Sequence, residues 1–291
     1  MTYDFRDKVI AVTGGAGGIG SALCHRFASG GAHCVVVDID ERRAELVAAG
    51  LPGTGHTGIG VDLLDRTAVE QLFDHVATTH GRLDVLVNNV GMTSAERFDV
   101  RSVESIEREI DLNLLSPLVT TRIAIPLLRA SGDPRVITTV SLGGIFPLGE
   151  TPIYTASKFG LRGAMLAIAL DLRDKGIRAG SVLPSATDTR MLRQEAVDGG
   201  NSMQFQDPPQ QPADVVAAAV SLLDRPRLEA YPRPGESWLV RIAMLAPNLL
   251  PRLFPLFRRR GERGMARYLE DLRRRGLARR TDGRWELVEE A

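Results

Sequence analysis

Lysine is scarce in this chain. Lys8, Lys158 and Lys175 are the only ones in 291 residues, although lysine and arginine together number 36. Cysteine is scarcer, with Cys24 and Cys34 alone, too few for the disulfide framework of a small secreted domain. Cys24 with His25 falls on an expected helix and His33 with Cys34 on an expected strand, without ligand-like spacing, so no metal is expected. The opening "MTYDFRDKVI" lacks the basic flank and long apolar run of a signal peptide, which gives a cytoplasmic expectation. Neither sign of charge dominates, since 36 acidic residues balance the 36 basic ones, and no nucleic-acid partner is expected. A hydrophobic content of 44%, a charged content of 25% and 29 glycines exclude a disordered or collagen-like chain. The length suits one α/β domain with a short appendage.

What is present alternates. Short β-branched apolar runs at Val9 to Val12, Cys34 to Val37, Thr57 to Val61, Val85 to Val87, Val136 to Val140 and Ala179 to Leu183 read as buried parallel strands. Helices are expected between and after them at Ile19 to Ser29, Glu41 to Ala49, Arg66 to His80, Val103 to Arg129, Thr155 to Lys175 and Pro212 to Leu223. Pro117 and Pro126 should kink the fourth of these and then end it. Strands alternating with helices imply a doubly wound parallel sheet covered on both faces.

"VIAVTGGAGGIGSAL" sets a glycine cluster between the first strand and the first helix. Backbone N–H groups and the positive helix end can approach a pyrophosphate there, because glycine puts no Cβ in the way. Gly14, Gly18 and Gly20 carry this spacing, with Ile19 among the cofactor-binding candidates. Asp38 closes the second strand, where a carboxylate accepts hydrogen bonds from a ribose and repels a 2′-phosphate, favouring NAD over NADP. Arg42 and Arg43 follow one turn later and qualify that preference.

Two of the rare residues meet in "YTASKFG", Tyr154 to Gly160. By composition alone a Tyr-x-x-x-Lys pair arises with a probability of about 0.04, so its context decides. That context resembles the short-chain dehydrogenase/reductase family, a single-domain Rossmann fold, from about Lys8 to Tyr231. The family's T-G-x-x-x-G-x-G corresponds to Thr13 to Gly20, N-N-A-G to "NNVG" with Asn89 and Gly91, and its helix-borne asparagine to Asn113. Its serine corresponds to Ser141, Y-x-x-x-K to Tyr154 and Lys158, and P-G-x-x-x-T to "PSATDT" with Pro184, Thr187 and Thr189. Ser185 departs from the family's glycine.

At positions i and i+4, Tyr154 and Lys158 project from one helix face. Moving a phenol from pKa 10 toward 7 takes about 4 kcal/mol, which a lysine cation and a nicotinamide charge can largely supply in a desolvated cleft. The resemblance implies that Tyr154 is the acid/base, that Ser141 holds the substrate oxygen, and that Lys158 also binds the nicotinamide ribose. It further implies that Asn113 holds a water linking the lysine to solvent. Asp62 either reaches the adenine or caps a strand end, and Thr189 touches carboxamide or phosphates.

These readings make the chain an NAD-dependent oxidoreductase of a secondary alcohol or ketone. The alternatives are a catalytically silent NAD-binding regulator or scaffold of the same fold, and a sugar-nucleotide epimerase, whose glycine spacing and large C-terminal domain are missing. Met92, Leu142, Ile145, Phe146, Leu148, Met191, Leu192, Met203 and Phe205 would line the substrate pocket, pointing to a lipophilic, steroid-like or other bulky cyclic substrate. The resemblance also implies a homodimer or homotetramer built on the helices that begin near Val103 and Tyr154.

Residues 1–232 are expected to form the catalytic domain and 233–291 an extension, first apolar and then rich in arginine. From Arg252 to Arg280 eleven arginines face three acids, so this segment carries about +8 and the remainder about −8. Arg241, Asn248, Arg252 and prolines 247, 251 and 255 argue against a transmembrane span. The favoured use of the apolar part is to cover the substrate cleft or a neighbouring subunit, with the arginines on a solvated helix. Contact with a membrane surface is the less favoured one.

Overall fold

A computed structural model describes residues 2–288. Among them, seven strands form one parallel sheet: β1 (Val9–Thr13), β2 (His33–Asp38), β3 (Thr57–Gly60), β4 (Val85–Asn88), β5 (Arg135–Thr139), β6 (Arg178–Val182) and the short β7 (Glu229–Ala230). Their spatial order is β3-β2-β1-β4-β5-β6-β7. The order reverses between β1 and β4, and in such sheets ligands bind beyond the carboxyl ends at that switch point. The central strands β1 and β4 are wholly buried and β2, β5 and β6 are buried but for their ends, as their apolar runs require, whereas the edge strand β3 is only partly covered.

Helices α1 (Gly18–Ala28), α2 (Glu41–Ala49) and α8 (Pro212–Asp224) cover one face, enclosing Ile10, Phe27, Val36 and Leu222. On the other face lie α3 (Arg66–His80), α4 (Val103–Ile110), α5 (Ser116–Arg129) and α6 (Pro152–Arg173), where Leu86, Leu128, Leu161 and Met165 form the core. The expected helix over 103–129 is interrupted by a π-helical turn at Asp111–Leu115, upstream of Pro117, which sits in the first turn of α5. Pro126 does not end α5, which runs on to Arg129. The carbonyl that its ring deprives of a donor belongs to the exposed Arg122, where water can replace the lost bond.

Beyond β6 come α7 (Arg190–Val197), α9 (Pro234–Ala243), α10 (Leu250–Arg274) and the hairpin β8 (Ala278–Thr281) with β9 (Arg284–Leu287). The arginine-rich α10 is not simply a solvated helix. Tyr268, Leu269 and Leu272 are buried in a third core with Leu192 and Ala196 of α7 and with Phe205. Close approach explains two glycines of α10: a Cβ on Gly261 would stand 2.2 Å from the Ser202 carbonyl oxygen, and one on Gly264 1.8 Å from that of Phe205. Asp188 ties the extension to the loop after β6, accepting from Tyr268 Oη at 2.7 Å, Arg193 Nε at 2.8 Å and Arg275 Nη1 at 2.8 Å.

Candidate active site

At the carboxyl end of β1 the chain turns sharply at Gly14, with φ at +62°, a conformation glycine adopts without Cβ strain. A Cβ on Gly20 would lie 2.0 Å from the Gly14 carbonyl oxygen, so α1 packs directly on the loop only because that position is glycine. No side chain caps the first turn of α1, which leaves its N–H groups free for an anion. Gly14, Gly18 and Ile19 line a cleft of about 540 Å³, whereas Gly20 stands behind its wall. Thr189, more than 160 residues away in sequence, lies over Gly18, where an added Cβ would come 3.0 Å from its Cγ2.

Asp38 borders the same cleft and has work within the loop, since its Oδ2 accepts from Ala16 N at 3.1 Å. Arg43 also reaches this end, donating from Nη2 to the Ala16 carbonyl at 3.0 Å, while Arg42 is absent from the lining. Asp62 does two things at once: it faces the cleft and accepts from Leu64 N at 3.0 Å, stabilising its own turn. Asn89 joins three strand ends. Its N–H donates to Thr13 Oγ1 at 3.0 Å, its Nδ2 to Gly14 O at 3.4 Å, and its Oδ1 accepts from Thr139 Oγ1 at 3.0 Å. Pro184 and Thr187 border the opposite wall, and Ser185, φ not left-handed, borders it too. The uncapped helix end, the glycine cradle and the carboxylate at the tip of β2 together fit a dinucleotide.

Further along, Ser141, Tyr154 and Lys158 converge on the cleft. The Ser141 hydroxyl accepts from Gly143 N at 2.9 Å, leaving its own proton to give, and it is hydrogen-bonded to the Tyr154 phenol. Gly143 is a close neighbour the sequence reading missed: a Cβ there would come 3.1 Å from Tyr154 Cε1 and would have to shift the ring slightly. Lys158 is almost fully buried, with Nζ 5.7 Å from the Tyr154 ring centroid and 3.4 Å from the Thr139 carbonyl it donates to. Burial pushes its pKa down to about 8, a fall that the charge of Glu109 opposes. Burial also pushes the Tyr154 phenol up to about 12, with the Ser141 bond working against it and Glu195 and Glu109 adding to it.

Asn113 is fully buried on the π-helical turn and does not line the cleft. Its Oδ1 accepts from Met92 N at 2.8 Å, and its Nδ2 donates to Met92 O at 2.8 Å and to Ser157 Oγ at 3.1 Å. The carboxamide therefore braces the loop after β4 against α6 and has no side-chain donor left over. Behind Lys158, Glu109 pairs with Arg101 at 2.6 Å, both side chains buried. Glu195 lines the cleft from α7, accepting from Gln204 Nε2 at 2.7 Å and Asn201 N at 3.2 Å, and burial raises it to about 7. Neither acid belongs to a local motif. Only the fold brings them near Tyr154 and Lys158.

A second, apolar cavity of about 170 Å³ opens from Ser141. Leu142, Phe146, Leu148 and Met203 of the expected pocket line it, while Met191 and Leu192 line the larger cleft. Ile145 and Phe205 are core residues, and Met92 borders neither space. Their places are taken by Leu239, Val240, Ala243 and Phe257 of the extension.

Residues 8–198 match the short chain dehydrogenase family. The chain belongs to that family. As a short-chain dehydrogenase it is an oxidoreductase acting on CH–OH groups. It is 32% identical over 201 residues to a 3beta-hydroxysteroid dehydrogenase of Mediterraneibacter gnavus, covering 67% of this chain and 71% of that protein. It is 30% identical over 231 residues to the D-threitol dehydrogenase of Mycolicibacterium smegmatis, covering 76% and 88%. Among solved structures, a Burkholderia phymatum short-chain dehydrogenase/reductase in complex with NAD superposes with a TM-score of 0.76 at 21% identity, over 85% of this chain and 96% of the other, which shows the shared fold. A 3-ketoacyl-(acyl-carrier-protein) reductase of Brucella melitensis, complexed with NADH, does so with a TM-score of 0.69 at 25% identity, over 78% and 98%.

Proposed function

We propose that this short-chain dehydrogenase is a cytoplasmic, NAD-dependent enzyme that interconverts a secondary alcohol and a ketone on a lipophilic, bulky cyclic substrate such as a steroid. The observation that carries this reading is that Ser141 borders both spaces, so the hydroxyl that would hold the substrate oxygen stands where a dinucleotide-shaped cleft meets an apolar chamber. Two relatives named for a 3beta-hydroxysteroid and for D-threitol support oxidation of a carbinol. Asp38 supports NAD, because its carboxylate would repel a 2′-phosphate.

When bound, NAD supplies a hydride acceptor and a positively charged ring. The remaining work falls to the protein. With its pKa pushed up to about 12, the Tyr154 phenol is protonated at neutral pH and ready to donate to a ketone oxygen. In the alcohol direction it must receive that proton, and Lys158 does not by itself offset the burial that disfavours the phenolate. The Ser141 bond and the cofactor's positive ring would supply the rest. Lys158 is cationic below about pH 8, with Glu109 as the buried negative charge that helps keep it so. Asn113 holds the wall behind Lys158 in place through Met92 and Ser157.

Assembly as a homodimer or homotetramer fits the exposed Leu115 on the π-helical turn and Phe159 and Leu170 on α6. The test of function is to titrate the purified protein with NADH and NADPH and to follow NADH absorbance with a panel of small and steroid-sized secondary alcohols. Tighter NADH binding and preferential turnover of the bulky alcohols are expected. Tighter NADPH binding would show that Arg43 outweighs Asp38, and turnover confined to small polyols would exclude the lipophilic substrate.

A further inference from the structure

Helices α9 and α10 are separated by a short turn and bent by 87°. Large apolar side chains run exposed along this stretch: Trp238 and Ile242 on α9, Leu245 and Leu249 in the connection, and Leu253 and Leu256 on α10. Leu245 is 83% exposed and Trp238 64%. Scattered exposed apolar side chains need no explanation, but with Leu239 there are seven within nineteen residues, the kind of patch that marks an interaction surface.

The surrounding charge says what kind. Between Trp238 and Arg267 there are seven arginines and one acid, Glu262. Several are already used: Arg241 pairs with Glu229, Arg258 with Glu150 and Glu262, and Arg260 with Asp207. Arg252 and Arg259 are exposed and make no ion pair among the described residues. A second copy of this chain meeting the patch face to face would set one arginine cluster against another, and like charges across an interface are disfavoured. An anionic lipid surface satisfies both features, taking the apolar side chains below its headgroups and the arginines among them. The bend and the ten-residue length of α9 suit helices that lie in the interface rather than cross it. Continuity with the site is a second indication. Leu239 is 67% exposed, yet it also lines the apolar cavity that opens from Ser141.

We propose that the α9–α10 elbow docks this protein on anionic membrane surfaces, with the mouth of the apolar cavity beside the bilayer. Docking stands on the exposed patch and the arginines around it; only its consequence, entry of bilayer-dissolved substrate past Leu239, rests on the alcohol–ketone reading above.

The test uses the full chain and extruded vesicles of phosphatidylcholine, with or without phosphatidylglycerol at roughly one lipid in three. Cosedimentation with the anionic vesicles should be at least about tenfold stronger than with the neutral ones and should fall about tenfold when salt is raised from low to high concentration. Leu245→Glu with Leu249→Glu, and separately Arg252→Glu with Arg259→Glu, should each cut binding by about tenfold or more. Both pairs replace exposed side chains, so melting temperature and turnover of a small water-soluble alcohol should be unchanged. Failure to bind anionic vesicles, binding that ignores the lipid charge, or a dimer that Leu245→Glu dissociates would overturn the proposal. Intact vesicle binding by a protein without alcohol turnover would sink the functional reading and leave docking standing.

Discussion

At the glycine-loop end of the cleft, contacts are made by backbone and by short polar side chains: Gly14 turning with a positive φ, Gly20 pressed on its carbonyl, and Asn89 bonding three strand ends. At the Ser141 end the walls are bulky apolar side chains from four separate stretches, and Leu239, Val240, Ala243 and Phe257 come from an extension that the sheet does not need. The first end has one solution and little freedom, because an added methyl group collides with backbone. The second can be relined side chain by side chain. One region is therefore fixed by its backbone geometry, and the other is free to vary in its lining.

Substitutions can break that division in a graded way. The largest effect is expected from Tyr154→Phe, where the two regions meet. Turnover should drop by about 10² to 10⁴, or about 3 to 5 kcal/mol, with NADH affinity preserved in a fluorescence titration. Near-normal turnover would remove the phenol from the mechanism. Next, Gly20→Ala forces a methyl group against the Gly14 carbonyl. Such overpacking costs about 1 to 3 kcal/mol and should weaken NADH binding by about tenfold to a hundredfold while the melting temperature falls. An unchanged dissociation constant would mean that the loop does not hold the cofactor.

Glu195 offers a smaller effect with a definite sign. Burial raises its pKa to about 7 from an ordinary value near 4.5, so the folded protein holds the proton at a pH where the unfolded chain has released it. Stability from this group is therefore lost as pH rises from about 4.5 through 7. Glu195→Gln should be more stable than the parent at pH 8 by about 1 to 2 kcal/mol and equally stable near pH 4, read by denaturant unfolding at each pH. A gain at acid pH instead would refute the assignment. The smallest effect separates the two regions most sharply. Phe257→Ala should lower kcat/KM for steroid-sized alcohols by about tenfold, leaving a small alcohol and NADH affinity within about twofold. Equal losses on both alcohols would show that Phe257 supports the fold rather than the pocket.

The cofactor end was legible because its requirements are local. Gly14, Gly18 and Gly20 lie within seven residues, and Tyr154 and Lys158 share one helix face, so spacing alone conveys geometry. Helices α2 and α3 were read to the residue, since each has an aspartate cap and a regular apolar stripe. The substrate end was read unevenly. Leu142, Phe146, Leu148 and Met203 reach the cavity, but Ile145 and Phe205 turn into the core, because apolar character does not reveal which way a loop residue points. In the extension, α9 and α10 reach the cavity with some side chains and leave others bare, and the arginine-rich α10 that was expected to be solvated is partly built into a core.

By itself the sequence determined the parallel sheet, the glycine turn at the start of α1 and the pairing of Tyr154 with Lys158 on one helix face. Each depends on residues close together in the chain or on a period fixed by the backbone. Only the tertiary structure decided which charges surround the phenol and what closes the pocket. Glu109 and Glu195 reach Tyr154 from α4 and α7, Gly143 makes room for its ring, and α10 reaches the pocket because Gly261 and Gly264 let it lie on the turn at Ser202–Phe205. Those effects arise from desolvation and close packing between segments far apart in the chain, and no local pattern of residues encodes how deeply a side chain is buried.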